Sequence, residues 1–139
     1  MRFIVTLTVV IISLAVILAG CGGSRNPSTW VAPDSPFMGF WIGTWTDSTN
    51  AQSGTAQIVI NKDGDASGTI TNTTLGIQGT VSGSINEHGV TSFTCRYPSN
   101  TYSDRGTLLI GDSGHLVGLL REYEGETQCG TLALDLTKQ

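Results

Sequence analysis

Three cysteines and two histidines are the side chains of this sequence with the most reactive chemistry. The cysteines are Cys21, Cys95 and Cys129, and the histidines are His88 and His115. A catalytic thiol needs a histidine to accept its proton, and a zinc site needs about four ligands close together. Both histidines fall in tight turns, at the opposite end of the predicted strands from Cys95 and Cys129. We therefore expect neither a catalytic thiol nor a metal site, and no cofactor is predicted.

The first 20 residues have the composition of a signal peptide. Arg2 supplies a positive charge, an apolar stretch runs from Phe3 to Val16, and small residues precede Cys21. An uncleaved membrane helix is the alternative, because the apolar stretch is nearly long enough to span a bilayer. The run Leu18-Ala19-Gly20-Cys21 resembles the lipobox of bacterial lipoproteins.

The lipobox resemblance implies cleavage before Cys21 and acylation of its sulfur by a diacylglyceryl group. Two or more acyl chains hold a protein stably at a membrane, whereas one does not. The implied location is the cell envelope, outside the cytoplasm, and the outer membrane if the host is Gram-negative. Residues 21–36, rich in Gly, Ser and Pro, are predicted to be a flexible tether. The domain is predicted to occupy residues 37–139.

Cys95 and Cys129 are predicted to form a disulfide. Export places the domain where disulfides persist. The strand pattern puts both cysteines at the same end of the predicted sheet. In the chain-entropy description, a bridge between them would stabilise the fold by about 3–4 kcal/mol.

The charge balance of the chain is acidic, with 7 Lys+Arg against 11 Asp+Glu and a formal net charge of −4. Basic residues do not cluster, so binding to nucleic acid is not expected. Glu122, Glu124 and Glu126 alternate around Gly125 and are expected to form a solvated acidic loop. The sequence offers no nucleophile, base and orienting group in a common pattern, so we do not expect an enzyme.

From Phe40 onward, apolar residues recur at every second position, which is typical of half-buried antiparallel strands. A Gly-Thr pair also recurs about once per hairpin, as expected of a meander. The pattern predicts eight strands, over residues 40–46, 54–61, 66–72, 75–85, 90–97, 106–110, 115–123 and 129–136.

The connections between these strands alternate in length. Residues 62–65, 86–89 and 111–114 form tight turns in which Gly and Asx residues supply positive φ. Longer loops lie between them and belong to the opposite end. Pairing of the last strand with the first would close an eight-stranded up-and-down β-barrel and remove its edges. A β-sandwich of the same strands is the alternative.

The first predicted strand contains the run Gly39-Phe40-Trp41-Ile42-Gly43-Thr44-Trp45. This run resembles the Gly-x-Trp opening of lipocalin-like and avidin-like barrels. The resemblance implies a small barrel whose tryptophan closes the bottom or contributes to a ligand pocket, but it does not imply biotin binding. From the residues alone, Trp41 and Trp45 are expected to pack on one face of the strand.

Two kinds of function remain open, of which the sequence favours the first, with the second as the alternative. The first is a non-catalytic protein-interaction or inhibitor-like module, because Tyr and Arg on loops suit binding hot spots. The seventh predicted strand has apolar residues on both faces, so we also expect one face to be covered by a protein partner or by a second copy of the chain. The second is a barrel that binds a small ligand, although eight short strands leave little interior room. Both hypotheses use the same candidate residues at the long-loop end: Tyr97, Tyr102, Arg105, Arg121 and Tyr123.

Overall fold

A computed structural model describes residues 31–139, in which eight antiparallel strands close into a β-barrel. The predicted signal peptide, Cys21 and most of the predicted tether lie outside the described residues. Within residues 31–139 there is no helix long and apolar enough to cross a membrane.

The strands follow one another around the barrel in chain order. They are β1 (Gly39–Asp47), β2 (Gln52–Ile60), β3 (Asp65–Asn72), β4 (Ile77–Ile85), β5 (Val90–Arg96), β6 (Thr101–Ile110), β7 (Leu116–Glu124) and β8 (Thr127–Lys138). Each strand pairs with the next, and β8 returns to pair with β1, where Gly43 lies opposite Leu136. This closure confirms the predicted up-and-down barrel and rules out the sandwich, and it leaves no strand edge open in the described domain.

Alternate residues of each strand point inward, as the period of two predicts. Trp41 and Trp45 are both buried on the inner face of β1. Burying one large aliphatic side chain contributes roughly 1.5–3 kcal/mol, so this inner layer dominates the stability of the barrel. Its other large members are Ile58, Ile60, Ile70, Val81, Ile85, Phe93, Leu108, Leu116, Leu120, Leu132, Leu134 and Leu136.

Short turns and the segment before β1 close one end of the barrel. Phe37 is buried there, and Trp41 Nε1 donates a hydrogen bond to its carbonyl oxygen over 2.8 Å. The backbone N–H of Ser35 donates to the carbonyl of Lys62 over 2.7 Å. Ser35, one of the last residues of the predicted tether, therefore contacts the barrel.

The largest difference from the predicted strands is at β6. This strand begins at Thr101 rather than at residue 106, so the preceding loop is shorter than predicted. Its first residues are polar and carry no apolar alternation, which made them resemble a loop. Their side chains nevertheless alternate between the inside and the outside of the barrel, because Asp104 is buried while Arg105 is exposed.

Candidate functional site at the mouth of the barrel

The end of the barrel opposite Phe37, where longer loops were predicted, holds an open cavity of about 320 Å³, here called the mouth cavity. The connections at this end have at most four residues and those at the other end have four or five, so the predicted alternation in connection length is wrong. Trp45 lies one inward position deeper along β1 than Asp47, and Leu132 lies opposite Asp47 on β8. The other lining residues belong to the four connections at this end and the adjoining strand ends: Asp47, Asn50, Gln52, Asn72, Leu75, Ile77, Tyr97, Pro98, Ser99, Asn100, Tyr102, Glu122, Glu124 and Cys129. The cavity is therefore apolar at depth and mainly polar and aromatic at its rim.

Asp47 is a buried carboxylate at the end of β1. Its Oδ1 accepts hydrogen bonds from the backbone N–H groups of Thr49 over 2.8 Å and Thr131 over 3.3 Å, and its Oδ2 accepts one from Asn50 Nδ2 over 2.5 Å. Burial by itself would raise the pKa of Asp47, but these hydrogen bonds to the charged form outweigh it and lower the pKa. Asp47 is therefore ionised at neutral pH.

Glu122 lies next to Asp47 across a β-bulge between β7 and β8. Gly130 is paired with Glu122, and a Cβ at that glycine would be 2.9 Å from Glu122 Oε2 and 3.0 Å from Asp47 Oδ2. The absence of a side chain at Gly130 thus allows two carboxyl groups to approach one another. Burial, followed by the charges of Asp104 and Asp47, raises the pKa of Glu122 to about 7. The expectation that Glu122 belongs to a solvated acidic loop is wrong, because its side chain faces into the barrel.

Beneath the mouth cavity, Cys95 and Asp104 form a buried pair on adjacent strands. The Cys95 thiol donates to Asp104 Oδ2 over 2.9 Å, and the two residues are 2 % and 1 % exposed. Burial raises the pKa of Asp104 to about 6, although the hydrogen bond from Cys95 opposes this shift. Burial and the neighbouring Asp104 carboxylate also raise the pKa of the Cys95 thiol. Cys95 therefore remains protonated at neutral pH and is a poor nucleophile.

Cys129 is the extra residue of the bulge, because Glu122 pairs with Gly130 and Tyr123 pairs with Gln128. Its sulfur lies 3.6 Å from the carbonyl oxygen of Glu122 and 3.7 Å from Glu122 Oε2. Within residues 31–139, Cys95 and Cys129 are both free thiols, each directed to a different acidic residue. The predicted disulfide is not formed in this structure and stays a prediction about the oxidised protein.

Aromatic and amide side chains complete the walls of the mouth cavity. The rings of Tyr97 and Tyr102 meet edge to face with centroids 6.1 Å apart. Asn100 Nδ2 is 2.9 Å from Tyr102 Oη and 3.2 Å from Glu124 Oε1. On the β2–β3 side, Asn72 Nδ2 donates to Gln52 Oε1 over 2.7 Å. These contacts hold the polar wall groups in defined positions before any ligand arrives.

Two buried polar atoms near the base of the cavity have no hydrogen-bond partner among the described residues. They are Trp45 Nε1 and Asp104 Oδ1. Both residues border a small enclosed void of about 10 Å³, and Trp45 also lines the mouth cavity. A Cβ on Gly54 would lie 2.7 Å from the indole ring of Trp45, so glycine at this position makes room for the ring.

The five candidate residues predicted from the sequence divide into two groups. Tyr97 and Tyr102 line the mouth cavity. Arg105, Arg121 and Tyr123 instead border a shallow groove on the outer surface of β5–β8, where the Arg105 guanidinium lies 5.5 Å from the centre of the Tyr123 ring. The expectation of one combined site is therefore corrected, because the alternation of β6 and β7 turns these three side chains outward.

Several buried or partly buried polar residues in and beneath the mouth cavity were missed in the sequence. Continuing the inward phase of β1 from Trp45 reaches Asp47, and tracing the phase of β6 back from Leu108 reaches Asp104. The signal was present, but buried polar residues break the apolar pattern on which strand prediction depends. The other missed wall residues are Asn50, Gln52, Asn72 and Glu122.

The histidines lie away from this cavity. His115 Nδ1 is 2.6 Å from Asp135 Oδ1, and His88 Nε2 is 3.4 Å from Glu87 Oε1. In the part of the chain that the structure describes, His, Cys, Asp and Glu do not form a group of three or more that could hold a metal ion.

Comparison with known proteins finds no matching protein-family model, and neither the curated proteins nor the solved structures contain a significant match.

Proposed function

We propose that this protein binds a small organic molecule in the mouth cavity and does not catalyse a reaction. The observation that carries the proposal is the cavity itself. Its volume of about 320 Å³ falls at the lower end of the range for small-molecule sites, and its lining combines aromatic surface with a few fixed polar groups. The ligand-binding hypothesis, which was the alternative from the sequence, is thus better supported than protein contact.

The choice of buried residues also supports a ligand site. Asp47 and Asn72 are buried, and Glu122 is half-buried, at positions where apolar side chains would continue the core. Burying a polar group costs free energy unless hydrogen bonds compensate, and burying a charge costs more. A barrel that needed only stability would fill these positions with aliphatic side chains, as it does at Leu116 and Leu136 near the sealed end.

The same geometry favours binding over catalysis. The Cys95 thiol is buried and its raised pKa keeps it protonated, so it cannot supply a thiolate. The oxygens of Asp47 accept hydrogen bonds from fixed donors, which makes it an anchor for the β1–β2 loop rather than a mobile base.

We further propose that the barrel acts in the cell envelope, tethered through acyl chains on Cys21. The support for this location is the lipobox resemblance and the signal-peptide pattern of the leader. The residues before β1 join the barrel at its sealed end, through the contact between Ser35 and Lys62. The mouth cavity is at the opposite end, so a tether attached in this way would not cover it.

The proposed function is tested by locating where small molecules bind on the full-length chain. We suggest heteronuclear NMR titration with a mixture of small organic amines, acids and neutral alcohols. Ligand binding is expected to shift the backbone amide signals of Tyr97, Asn100 and Tyr102 more than those of the sealed-end turns.

A pair of tryptophan substitutions makes this test specific. Ile77→Trp places a large side chain in the mouth cavity, whereas Val59→Trp places the same side chain on the outer face of β2, where Val59 is exposed. Binding is expected to be lost in Ile77→Trp and kept in Val59→Trp. If no compound perturbs the mouth residues, or if both variants bind equally, the ligand-binding proposal fails.

Protein contact is a second candidate because of an apolar patch on the outer surface. Val90, Leu109 and Leu119 are all more than half exposed, and the arginine–tyrosine groove of Arg105 and Tyr123 borders the patch. If this surface binds a second copy of the chain, Leu119→Glu should convert a dimer to a monomer in sedimentation experiments. Val59→Glu, on a different outer face, serves as the control. A monomer at all concentrations would contradict self-association.

A further inference from the structure

We propose that the ligand of the mouth cavity is a small organic cation, an amine or a quaternary ammonium compound, whose positive charge lies against Glu122 and Asp47. This inference rests on the proposed function and specifies the chemical class of its ligand. It is carried by three features of the cavity: the sign of its charges, its aromatic surface and an unpartnered buried donor.

The charged side chains that line the mouth cavity are all acidic. They are Asp47, Glu122 and Glu124, and neither lysine nor arginine is among the described residues of the lining. A cleft that carries one sign of charge between low-dielectric walls focuses its field and concentrates the opposite charge. The carboxyl pair of Asp47 and Glu122, which no lysine or arginine of the described lining neutralises, therefore favours a positively charged ligand group over a neutral or negative one.

The aromatic residues of the cavity provide the second feature. Trp45, Tyr97 and Tyr102 all contribute to its lining. An organic cation is attracted to the face of an aromatic ring, and this attraction strengthens when water is excluded. Aromatic ring faces and tyrosine hydroxyl oxygens beside carboxylates thus suit an ammonium group that carries alkyl substituents.

Trp45 also provides an observation that is independent of the acidic residues. It is 3 % exposed, it lines the cavity, and its Nε1–H has no hydrogen-bond acceptor among the described residues. A buried donor without a partner costs free energy, so an acceptor is expected to reach it. A hydroxyl or carbonyl oxygen on the same ligand can be that acceptor, which favours a cation that also carries an oxygen function.

Glu122 couples cation binding to proton release. Burial and the charges of Asp104 and Asp47 hold the pKa of Glu122 at about 7, so a fraction of the protein keeps this carboxyl protonated near neutrality. A bound cation stabilises the carboxylate, and the proton leaves to solvent. Ionisable groups from five strands surround Glu122: Asp47 of β1, Cys95 of β5 with Tyr97 just after it, Tyr102 and Asp104 of β6, Glu124 of β7 and Cys129 of β8. The wall formed by β2 and β3 contributes only the neutral amides of Gln52 and Asn72.

The test compares choline with neohexanol, its neutral isostere in which a carbon atom replaces the nitrogen. Both probes have the same shape and the same hydroxyl group, so their affinities differ through charge. Isothermal titration calorimetry of the full-length protein at about pH 8 is expected to show that choline binds about tenfold more tightly than neohexanol, or more. Choline affinity is expected to fall as the pH is lowered through about 7. Repeating the titration in buffers of different ionisation enthalpy measures the number of protons released on binding.

Glu122→Gln and Glu87→Gln form the matched variants. The first removes the carboxylate charge from the cavity at constant side-chain size, and the second does the same in an exposed turn at the sealed end. Glu122→Gln should weaken choline binding about tenfold and remove its pH dependence, leaving neohexanol unaffected. Glu87→Gln should change neither. Thermal unfolding of both variants checks that the barrel is intact.

The outcomes separate this inference from the proposed function. Equal binding of choline and neohexanol at the mouth, or preferential binding of organic acids there, overturns the cation inference while the ligand-binding function stands. If choline binds but its affinity is the same in Glu122→Gln, the assignment of the charge to this pair is overturned. If the NMR titration finds no compound at the mouth, both proposals fall together.

Discussion

Cys95 and Asp104 are joined by a hydrogen bond of 2.9 Å inside the barrel, between side chains that are almost completely buried. The thiol satisfies one oxygen of the carboxyl group, and Oδ1 has no partner in the described part of the chain. An acidic side chain in such a position prefers to be neutral. The stability of this barrel should therefore increase when the pH is lowered slightly below neutrality.

The first prediction is that mild acidification stabilises the fold. Burial raises the pKa of Asp104 from 3.8 to about 6, and burial with nearby carboxylates raises that of Glu122 from 4.5 to about 7. A carboxyl group whose pKa is higher in the folded protein binds its proton more tightly there than in the unfolded chain. The resulting stabilisation of the fold is complete below the pKa of the unfolded chain, and it is lost as the pH rises through the pKa of the folded protein. Urea unfolding should show stability higher by roughly 1–2 kcal/mol near pH 5 than near pH 8.

Asp104→Asn and Asp112→Asn test the origin of this pH effect. The first replaces the buried carboxyl group, and the second replaces an exposed one in the β6–β7 turn. Asp104→Asn should weaken the pH dependence and leave the part that comes from Glu122, whereas Asp112→Asn should leave it unchanged. This stabilisation by acid ends near the ordinary pKa of Asp47, 3.8, because the pKa of Asp47 is lowered in the fold and its stabilising charge is lost as the pH falls further. Stability that rises from pH 5 to pH 8 would contradict the buried-acid interpretation.

The second prediction concerns thiol reactivity. Cys129 is half-buried in the bulge, whereas Cys95 is buried and its pKa is raised by its surroundings. In the native reduced protein, with Cys21→Ser to remove the third thiol, a disulfide reagent should modify Cys129 slowly and Cys95 only after unfolding. Mass spectrometry of labelled peptides gives the site. Adding Cys129→Ser should abolish native labelling, and rapid labelling of Cys95 would contradict its burial.

The same labelling experiment also tests the predicted disulfide. If protein purified from an oxidising compartment is labelled at neither cysteine until it is reduced, the result supports a bridge between Cys95 and Cys129.

The third prediction is that the segment before β1 is part of the fold. Phe37 is buried at the sealed end, whereas Phe40, three residues later, is 39 % exposed on the outer face of β1. Phe37→Ala should cost about 2–4 kcal/mol of unfolding free energy, because it removes a core aromatic side chain. Phe40→Ala should cost about 1 kcal/mol or less. Equal losses in urea unfolding would show that Phe37 does not seal the barrel.

The fourth prediction concerns Ala51 in the β1–β2 loop beside the mouth cavity. This alanine has φ of 53°, a left-handed conformation that a Cβ disfavours. Ala51→Gly relieves the strain but increases the freedom of the unfolded chain, so we expect a net stabilisation of up to about 1 kcal/mol. Ala133→Gly, in β8, serves as the control and should be destabilising. A clear loss of stability in Ala51→Gly would mean that the loop is not held in this conformation.

The sequence by itself determined the barrel architecture. A period of two predicts which residues face inward, and the Gly- and Asx-containing turns at 62–65, 86–89 and 111–114 predict where adjacent strands reverse direction. These are local properties, because strand alternation and turn geometry depend on residues that are adjacent in the chain.

The tertiary structure alone decided the composition of the site. Asp47 and Glu122 are 75 residues apart along the chain, yet closure of β8 onto β1 brings their carboxyl groups to one cavity, and Asp104 on β6 lies beneath it. Each is preceded and followed by residues that made a loop or a solvated strand a reasonable prediction. Whether a polar side chain is buried depends on what strand pairing places against it, and those partners lie far away in sequence. The extension of β6 back to Thr101, which its polar residues did not predict, fixed the phase that turns Arg105 to the outer surface and Tyr102 to the inside.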